Sequence, residues 1–344
     1  MGSSECINRS AILVTAMILR ACDKQLEIAT PAKVNLFLEL LSRRSDGFHE
    51  IETVMAAVSI YDRIRFTQRS DSKIRLSISN ASVGNAPSES DPIPTDQTNL
   101  ICRAIELVRS SASEEGLNSC SVGLDVHLNK TIPSAAGLGG ASSNAAAAIV
   151  AANRIWKLNW PVSKLSSIAA QLGSDISFFL YGGISVCGGR GEIIQPLATP
   201  TKLSLVIAKP TVSLSTARVF GKVELDHDNR SASGLTEGVR RGRPVEIARQ
   251  MFNRLQKFAE PLTDQIAKLR HEFSRLNALG HQMSGSGSSY FGVFESARTA
   301  RQASKTLSSR LPNVRIFCSQ PSAHTKPYPS TCLSEGASDG NYGS

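Results

Sequence analysis

Between residues 130 and 149 the chain reads KTIPSAAGLGGASSNAAAAI, in which Pro133 precedes Gly137, Gly139 and Gly140, and Ser142 and Ser143 lead into an alanine run. Glycine tolerates positive φ and lets the backbone approach an anion closely, while the N–H groups at a helix start favour negative charge. Such a segment can cradle phosphate through main-chain donors, with no lysine inside the loop. A simple tight turn uses the same residue types, so these physical features leave both readings open. A second candidate is the strand around Lys33 and Asn35. From Val34 the apolar residues alternate, which predicts Val34, Leu36, Leu38 and Leu40 on one face and Lys33, Asn35, Phe37 and Glu39 on the other.

Elements must hold these residues in place. A strand beginning near Leu26 carries Lys33, and a helix is expected over 98–109, with Leu100, Ile101, Ala104, Ile105 and Val108 at helical spacing. A strand over 122–128 delivers the chain to the glycine-rich turn, and 144–156 follows as an alanine-rich helix. Ser163 reads as the N-cap of the next helix, which ends at Gly173. Residues 203–208 read as a strand, while 264–279, stopped by Gly280, and 297–311 read as helices. The polar stretches 80–96 and 226–244 are expected as a long loop and an exposed Arg-rich insertion. Neither GxxxxGK[ST] nor a GxGxxG opening a helix occurs, so phosphate must be held in another way than in those motifs.

The loop resembles the P-x-x-x-G-L-G-G-G-S-S-x-A-A motif of the GHMP kinases, in particular the diphosphocytidyl-methylerythritol kinases. It matches at Pro133, Gly137, Leu138, Gly139, Gly140, Ser142, Ser143, Ala145 and Ala146. Ala141 stands where that family has a further glycine, which narrows the space near the β- and γ-phosphates without removing a backbone donor. The resemblance extends to PAKVNLFLEL, whose lysine corresponds to Lys33, and to LGSDISFFLYGG, whose aspartate corresponds to Asp175. It implies that Asp175 accepts the proton of an acceptor hydroxyl, and that Lys33 holds Asp175 ionised and stabilises the transferred phosphoryl group. Taken alone, Asp175 reads as a helix-start residue and Lys33 as a solvated strand residue.

The implied ATP site is the run Pro133, Ser134, Ala135, Ala136, Gly137, Leu138, Gly139, Gly140, Ala141, Ser142 and Ser143. Magnesium is implied with ATP, with Ser143 as its candidate contact. Asp46-Gly47-Phe48-His49 resembles the D-G-Y/F-H element with which the same family addresses cytosine. By that resemblance His49 hydrogen-bonds the base edge, Phe48 stacks on one face and Phe220 covers the other; Asn35 joins the substrate contacts. Both phenylalanines could instead be core residues. The stretch from Met283 to Ser288 resembles the M-S-G-S-G motif that faces the acceptor site in GHMP kinases.

The resemblance covers about 26–320 and implies a two-domain α+β fold with the active site between the domains. Residues 25–187 would form an N-terminal ATP-binding domain related to the ribosomal S5-like fold, and 188–320 the C-terminal GHMP domain. Residues 1–24 read as a dispensable leader, or translation begins at Met17, and 321–344 read as a disordered tail. The Arg-rich stretch 240–243 falls outside the resemblance. The implied reaction is ATP-dependent phosphorylation of the 2-hydroxyl of a diphosphocytidyl methylerythritol, in the non-mevalonate route to isoprenoid precursors. A GHMP kinase for homoserine or mevalonate would keep the loop but need no cytosine pocket, so the Asp46 to His49 element speaks against it.

Bulk composition reads as a soluble globular protein. The 38 Lys and Arg exceed the 29 Asp and Glu, and a net charge of +9 attracts polyanions, nucleotides among them. A non-catalytic nucleic-acid-binding protein would use the same charge, but no RNA-reading motif appears and Lys33 and Asp175 would be idle, so no nucleic-acid partner is expected. The seven cysteines form no CxxC pair, which suits a reducing cytoplasm. The apolar stretch 11–19 is far short of the roughly 20 residues that span a bilayer, so no membrane partner is expected. A monomer or a homodimer would serve equally well.

Overall fold

The alternation that begins near Leu26 builds one arm of a long hairpin, β2 (Gln25–Arg43), antiparallel to β3 (His49–Gln68). The computed structural model describes residues 17–22, 25–80, 93–117, 120, 122–197, 202–225 and 228–322. β1 (Ile18–Cys22) pairs with the start of β2, and β4 (Ile74–Asn80) runs parallel to β5 (Leu124–Lys130). A parallel pair needs a long crossover, and α1 (Leu100–Glu114) lies within it. The strand order is β1-β2-β3-β5-β4.

Three further helices follow β5: α2 (Gly140–Ile155), α3 (Val162–Leu172) and α4 (Ser174–Tyr181). α2 is buried along most of its length, because its alanines let it sit deep in the first core with residues of α1, α3 and α4. β6 (Ile184–Gly188) then pairs with the first half of β3, and β7 (Ile193–Leu197) with β6.

A second, antiparallel sheet is ordered β10 (Gly280–Met283), β11 (Tyr290–Phe294), β8 (Ser204–Lys209) and β12 (Arg315–Ser319). Strand alternation gives it two apolar faces. One packs with α9 (Asp264–Ser274) and α10 (Ala297–Arg310) through Val206, Ala208, Tyr290, Phe273 and Leu307. The other places Leu205, Ile207, Phe291 and Val293 in one apolar layer with Val34, Leu36 and Phe37 of β2. Truncating the fully buried Ile207 to alanine in that layer would cost roughly 2–5 kcal/mol. The two sheets are therefore held together by apolar packing, which fixes the cleft that runs beside β2.

Several sequence expectations change. β2 carries a bulge between Asn35 and Phe37, where Leu36 is the extra residue. A one-residue slip flips every later side chain, so Phe37 joins Val34 in the apolar layer and Leu38 joins Lys33 and Asn35 at the cleft. α2 begins at Gly140, four residues before the start expected at Asn144, so Gly140 to Ser143 are its first turn rather than loop. Pro161, not Ser163, precedes α3, and α9 stops at Ser274, with Gly280 opening a strand.

The expected exposed insertion contains α6 (Ser233–Arg240) and the start of α7 (Pro244–Arg249). Leu235, Val239 and Ile247 are buried in the layer between the sheets. The expected leader ends inside the fold, since β1 lies on β2 and Met17 is buried. At the other end Pro321 bridges to Val58, and the Ser322 N–H donates to the Ala57 carbonyl, so the anchored chain runs past Gln320. The rest of the expected tail, and residues 81–92 of the expected loop, lie outside the described residues. The first sheet also continues past the boundary expected at Cys187, through β7.

Candidate active site

The phosphate loop owes its shape to glycine at two places. Gly137 has φ 73°, and a Cβ there would stand 2.1 Å from the Ser284 carbonyl oxygen; Gly139 has φ 70° and would meet Phe179 at 2.9 Å and Lys33 Cγ at 3.0 Å. Neither position accepts a side chain without backbone movement. Gly139 is also the N-cap of α2, and having no side chain it leaves the helix's first N–H groups without a side-chain acceptor. That end carries partial positive charge and opens on a cleft of about 1150 Å³. Pro133, Ser134, Ala135, Ala136, Gly137, Gly139, Gly140, Ala141 and Ser142 all line the cleft, and Ala141 is exposed there.

Two members of the expected run turn away. Leu138 is fully buried in the layer between the sheets. Ser143 Oγ donates to the Pro31 carbonyl at 2.5 Å and lies 2.5 Å from Thr30 Oγ1, so its hydroxyl fastens α2 to β2. It is not placed to meet a metal ion; Ser142 is the serine on the cleft side.

Lys33 and Asp175 come together on the cleft wall beside the phosphate loop. Lys33 Nζ is 3.4 Å from Asp175 Oδ2 and donates to Asn35 Oδ1 at 2.6 Å. The Asn35 amide donates onward to Thr53 Oγ1 at 2.9 Å, and that hydroxyl to the Phe37 carbonyl at 2.6 Å. The Lys33 N–H donates to the Leu138 carbonyl at 2.9 Å, which ties β2 to the phosphate loop. Asp175 lies in the first turn of α4, where helix geometry favours a carboxylate, yet its side chain makes no capping bond. It is free to face the cleft.

The glycine-rich turn between β10 and β11 closes the same region from the second sheet. Ser284 Oγ donates to the Gly137 carbonyl at 3.0 Å, and the Ser289 N–H to the Ala136 carbonyl at 3.1 Å. A Cβ on Gly285, at φ 56°, would stand 3.2 Å from both Asn35 Oδ1 and Lys33 Nζ. The turn therefore packs on the phosphate loop and on the Lys33 side chain, and Gly285 and Ser286 line the cleft.

The aromatic end is looser. Gly47 at φ 84° and the Phe48 N–H, which donates to Asp46 Oδ1 at 3.1 Å, form the turn between β2 and β3. Phe48 is 52% exposed, with the Arg190 guanidinium 4.9 Å from its ring centre. Phe220, at the end of α5 (Thr216–Phe220), meets His49 with ring centroids 5.6 Å apart. All three rings line the cleft, but the ring against Phe220 is His49, where the expected arrangement had Phe48 and Phe220 enclosing a base. Burial, and then the Arg43 charge, push the His49 pKa down from its ordinary value, so its imidazole is neutral at pH 7.

Sequence reasoning missed several residues. Lys130, the first of the quoted string, is buried beside the loop: its Nζ lies 2.9 Å from Asp62 Oδ2 and 3.1 Å from where a Gly140 Cβ would be. Asp62 Oδ1 accepts from the Thr131 and Ile132 N–H groups, so the pair braces the entry to the loop. Asn99, the N-cap of α1, lines the cleft with Ile93 and Leu128. A capping signal in the sequence could have found Asn99; nothing local marked Arg190.

Known proteins match this arrangement. The GHMP kinases N terminal domain pattern matches residues 99–183, and the GHMP kinases C terminal pattern residues 235–313. A 4-diphosphocytidyl-2-C-methyl-D-erythritol kinase of Alkaliphilus metalliredigens is 35% identical over 287 residues, covering 83% of this chain and 93% of that protein. The chain belongs to this GHMP kinase family. The kinase of that name from Bacillus subtilis is 33% identical over 266 residues, covering 77% of this chain and 86% of its own. A crystal structure of 4-(cytidine 5'-diphospho)-2C-methyl-D-erythritol kinase superposes with TM-score 0.69 at 29% identity, covering 86% of this chain and 99% of that one. A homoserine kinase from Cytophaga hutchinsonii, at 18% identity, TM-score 0.66 and coverage of 89% and 97%, shares the fold. The C-terminal match starts at residue 235, so Arg240, Arg241 and Arg243 lie within the family region, contrary to the sequence expectation. Among the described residues no helix is long and apolar enough to cross a membrane.

Proposed function

We propose that this chain transfers the γ-phosphoryl group of ATP to the 2-hydroxyl of 4-diphosphocytidyl-2-C-methyl-D-erythritol. The observation that carries the reading is the Lys33 to Asp175 contact of 3.4 Å, set in one cleft with the phosphate loop and the Phe48, His49 and Phe220 rings. On this reading ATP lays its phosphates along the first turn of α2, and the buried Lys130–Asp62 pair braces the entry to the loop. The acceptor hydroxyl gives its proton to Asp175, its oxygen bonds to the γ-phosphorus, and the bond to the bridging oxygen breaks as ADP leaves. Lys33 offsets charge on the transferring group, and the Asn35 amide keeps its ammonium aimed.

The cytosine would be read at the other end, where a neutral His49 offers a hydrogen bond and the phenylalanine rings offer apolar faces. Magnesium bound with ATP would offset phosphate charge, and Asp175 and Ser142 are the cleft-lining groups that would help hold it. The donor set suits that use. Among the described residues no cluster of three or more His, Cys, Asp or Glu could hold an ion by itself, while Asp175 is a carboxylate on the cleft wall and Ser142 a hydroxyl. A hard divalent cation, which takes oxygen donors, would suit those groups. Cys102, Cys120, Cys187 and Cys318 are free thiols, which supports a reducing compartment such as the cytoplasm.

The test is Asp175→Asn, which keeps the side-chain shape and removes the proton acceptor. Turnover, read as ADP release at saturating ATP and magnesium, should fall about a hundredfold or more. A near-normal rate would leave Asp175 as a helix-start residue only.

A further inference from the structure

The bulge in β2 is held from outside its own sheet. Gln282 of β10 is 4% exposed, and its Nε2 donates to two successive carbonyls, those of Asn35 at 2.9 Å and Leu36 at 3.1 Å. A bulge disrupts the local ladder, and buried carbonyls need donors. Gln282 provides them across 247 and 246 residues of sequence. β10 is itself pinned in place. Asn253 Nδ2 donates to the carbonyls of Met283 and Gly285, each at 2.8 Å, and the Met283 N–H donates to Gln256 Oε1 at 2.9 Å.

Asn35 is thereby fixed on every side. Its carbonyl takes Gln282, its N–H reaches Ser284 Oγ at 3.4 Å, its amide nitrogen takes Thr53, and its Oδ1 receives Lys33 Nζ. An apolar residue at 282 would fill the space without the desolvation penalty of a buried amide. The amide makes sense as a device for holding the two carbonyls.

We infer that Gln282 is a positioning residue for phosphoryl transfer: by bonding both bulge carbonyls it sets the Asn35 amide, and through that amide the Lys33 ammonium beside Asp175. The inference rests on Lys33 and Asp175 being the catalytic pair. Gln282 is buried and does not line the cleft, so its loss should slow the chemical step and leave binding intact. Displacing a catalytic group by an ångström can cost about a hundredfold in rate.

The experiment compares Gln282→Met, of matching length but with no donor, and Gln282→Asn, one methylene shorter with its amide kept. Lys33→Met serves as reference, and rates are expressed per ATP-binding site titrated in each preparation. For Gln282→Met, kcat should fall on the order of ten- to a hundredfold while KM for ATP and for acceptor stay within about twofold; Gln282→Asn should fall between it and the unsubstituted protein. If Gln282→Met does not fold, Gln282→Asn alone decides, since a merely structural role would lower its thermal midpoint and leave kcat per site unchanged. Normal kcat per site in the Gln282 variants with a slow Lys33→Met would overturn this inference alone. A normal rate in Lys33→Met would overturn the catalytic reading, and this inference with it.

Discussion

At the phosphate end of the cleft Lys33 and Asn35 are each only 4% exposed, and hydrogen bonds reach the loop from β2 and from the turn after β10. At the aromatic end Phe48 is 52% exposed, and its turn is held by hydrogen bonds among neighbours such as Arg44, Asp46 and Phe48. The proposed function gives the two ends different tasks. Phosphoryl transfer gains from donors and charges fixed before reaction, because reorganising them would add to the barrier. Recognition of a base tolerates an open site whose rings close on the ligand.

The contrast can be broken most severely at Gly137. Alanine there must adopt left-handed backbone, at roughly 1–3 kcal/mol, and its methyl would strike the Ser284 carbonyl. Gly137→Ala should lower the thermal midpoint and weaken ATP binding about tenfold or more, measured by thermal scan and calorimetric titration. Unchanged ATP binding would mean that the loop is a turn and no phosphate cradle. Smaller effects are expected at the aromatic end. Phe48→Ala and His49→Ala should each raise KM for the cytidyl substrate about tenfold, on the order of 1–1.5 kcal/mol per lost stacking or hydrogen-bonding contact, with KM for ATP unmoved.

A pH series sharpens the same point through His49. Its folded-state pKa is depressed by burial and by Arg43, so the neutral ring persists at pH 7 and the stability tied to it is lost only as pH falls below the ordinary value of 6.5 toward the folded pKa. KM for the cytidyl substrate should therefore be flat above neutrality and rise on that acid side, and His49→Ala should flatten the rise. A rise equally large in the variant would assign the effect to another group.

The buried end was largely legible in the sequence, because its signals are local. Period-two alternation put Lys33 and Asn35 on one face, and the glycines of 137–140 marked a turn leading into a helix, although the helix starts at Gly140 and not at Asn144. What could not be read is what distant chain imposes. The bulge that sends Leu38, not Phe37, to the cleft is held by Gln282, and no residue near Leu36 signals it. Ser143 looked as free as Ser142, but helix geometry turns it toward Pro31 and Thr30. In the Arg-rich stretch spacing carries the missed signal: Leu235 and Val239 are four residues apart on one buried face of α6, which ends at the exposed Arg240. Polar composition masked a helix whose apolar stripe is two residues wide.

The most direct test of the account is ADP release by the purified protein with ATP and magnesium, offered in turn 4-diphosphocytidyl-2-C-methyl-D-erythritol, its uridyl counterpart, homoserine and mevalonate. Turnover confined to the cytidyl compound, with one new phosphomonoester formed per ADP, is the predicted result. Comparable turnover of homoserine or mevalonate, or of the uridyl compound, would contradict the assignment of Phe48, His49 and Phe220 to cytosine recognition.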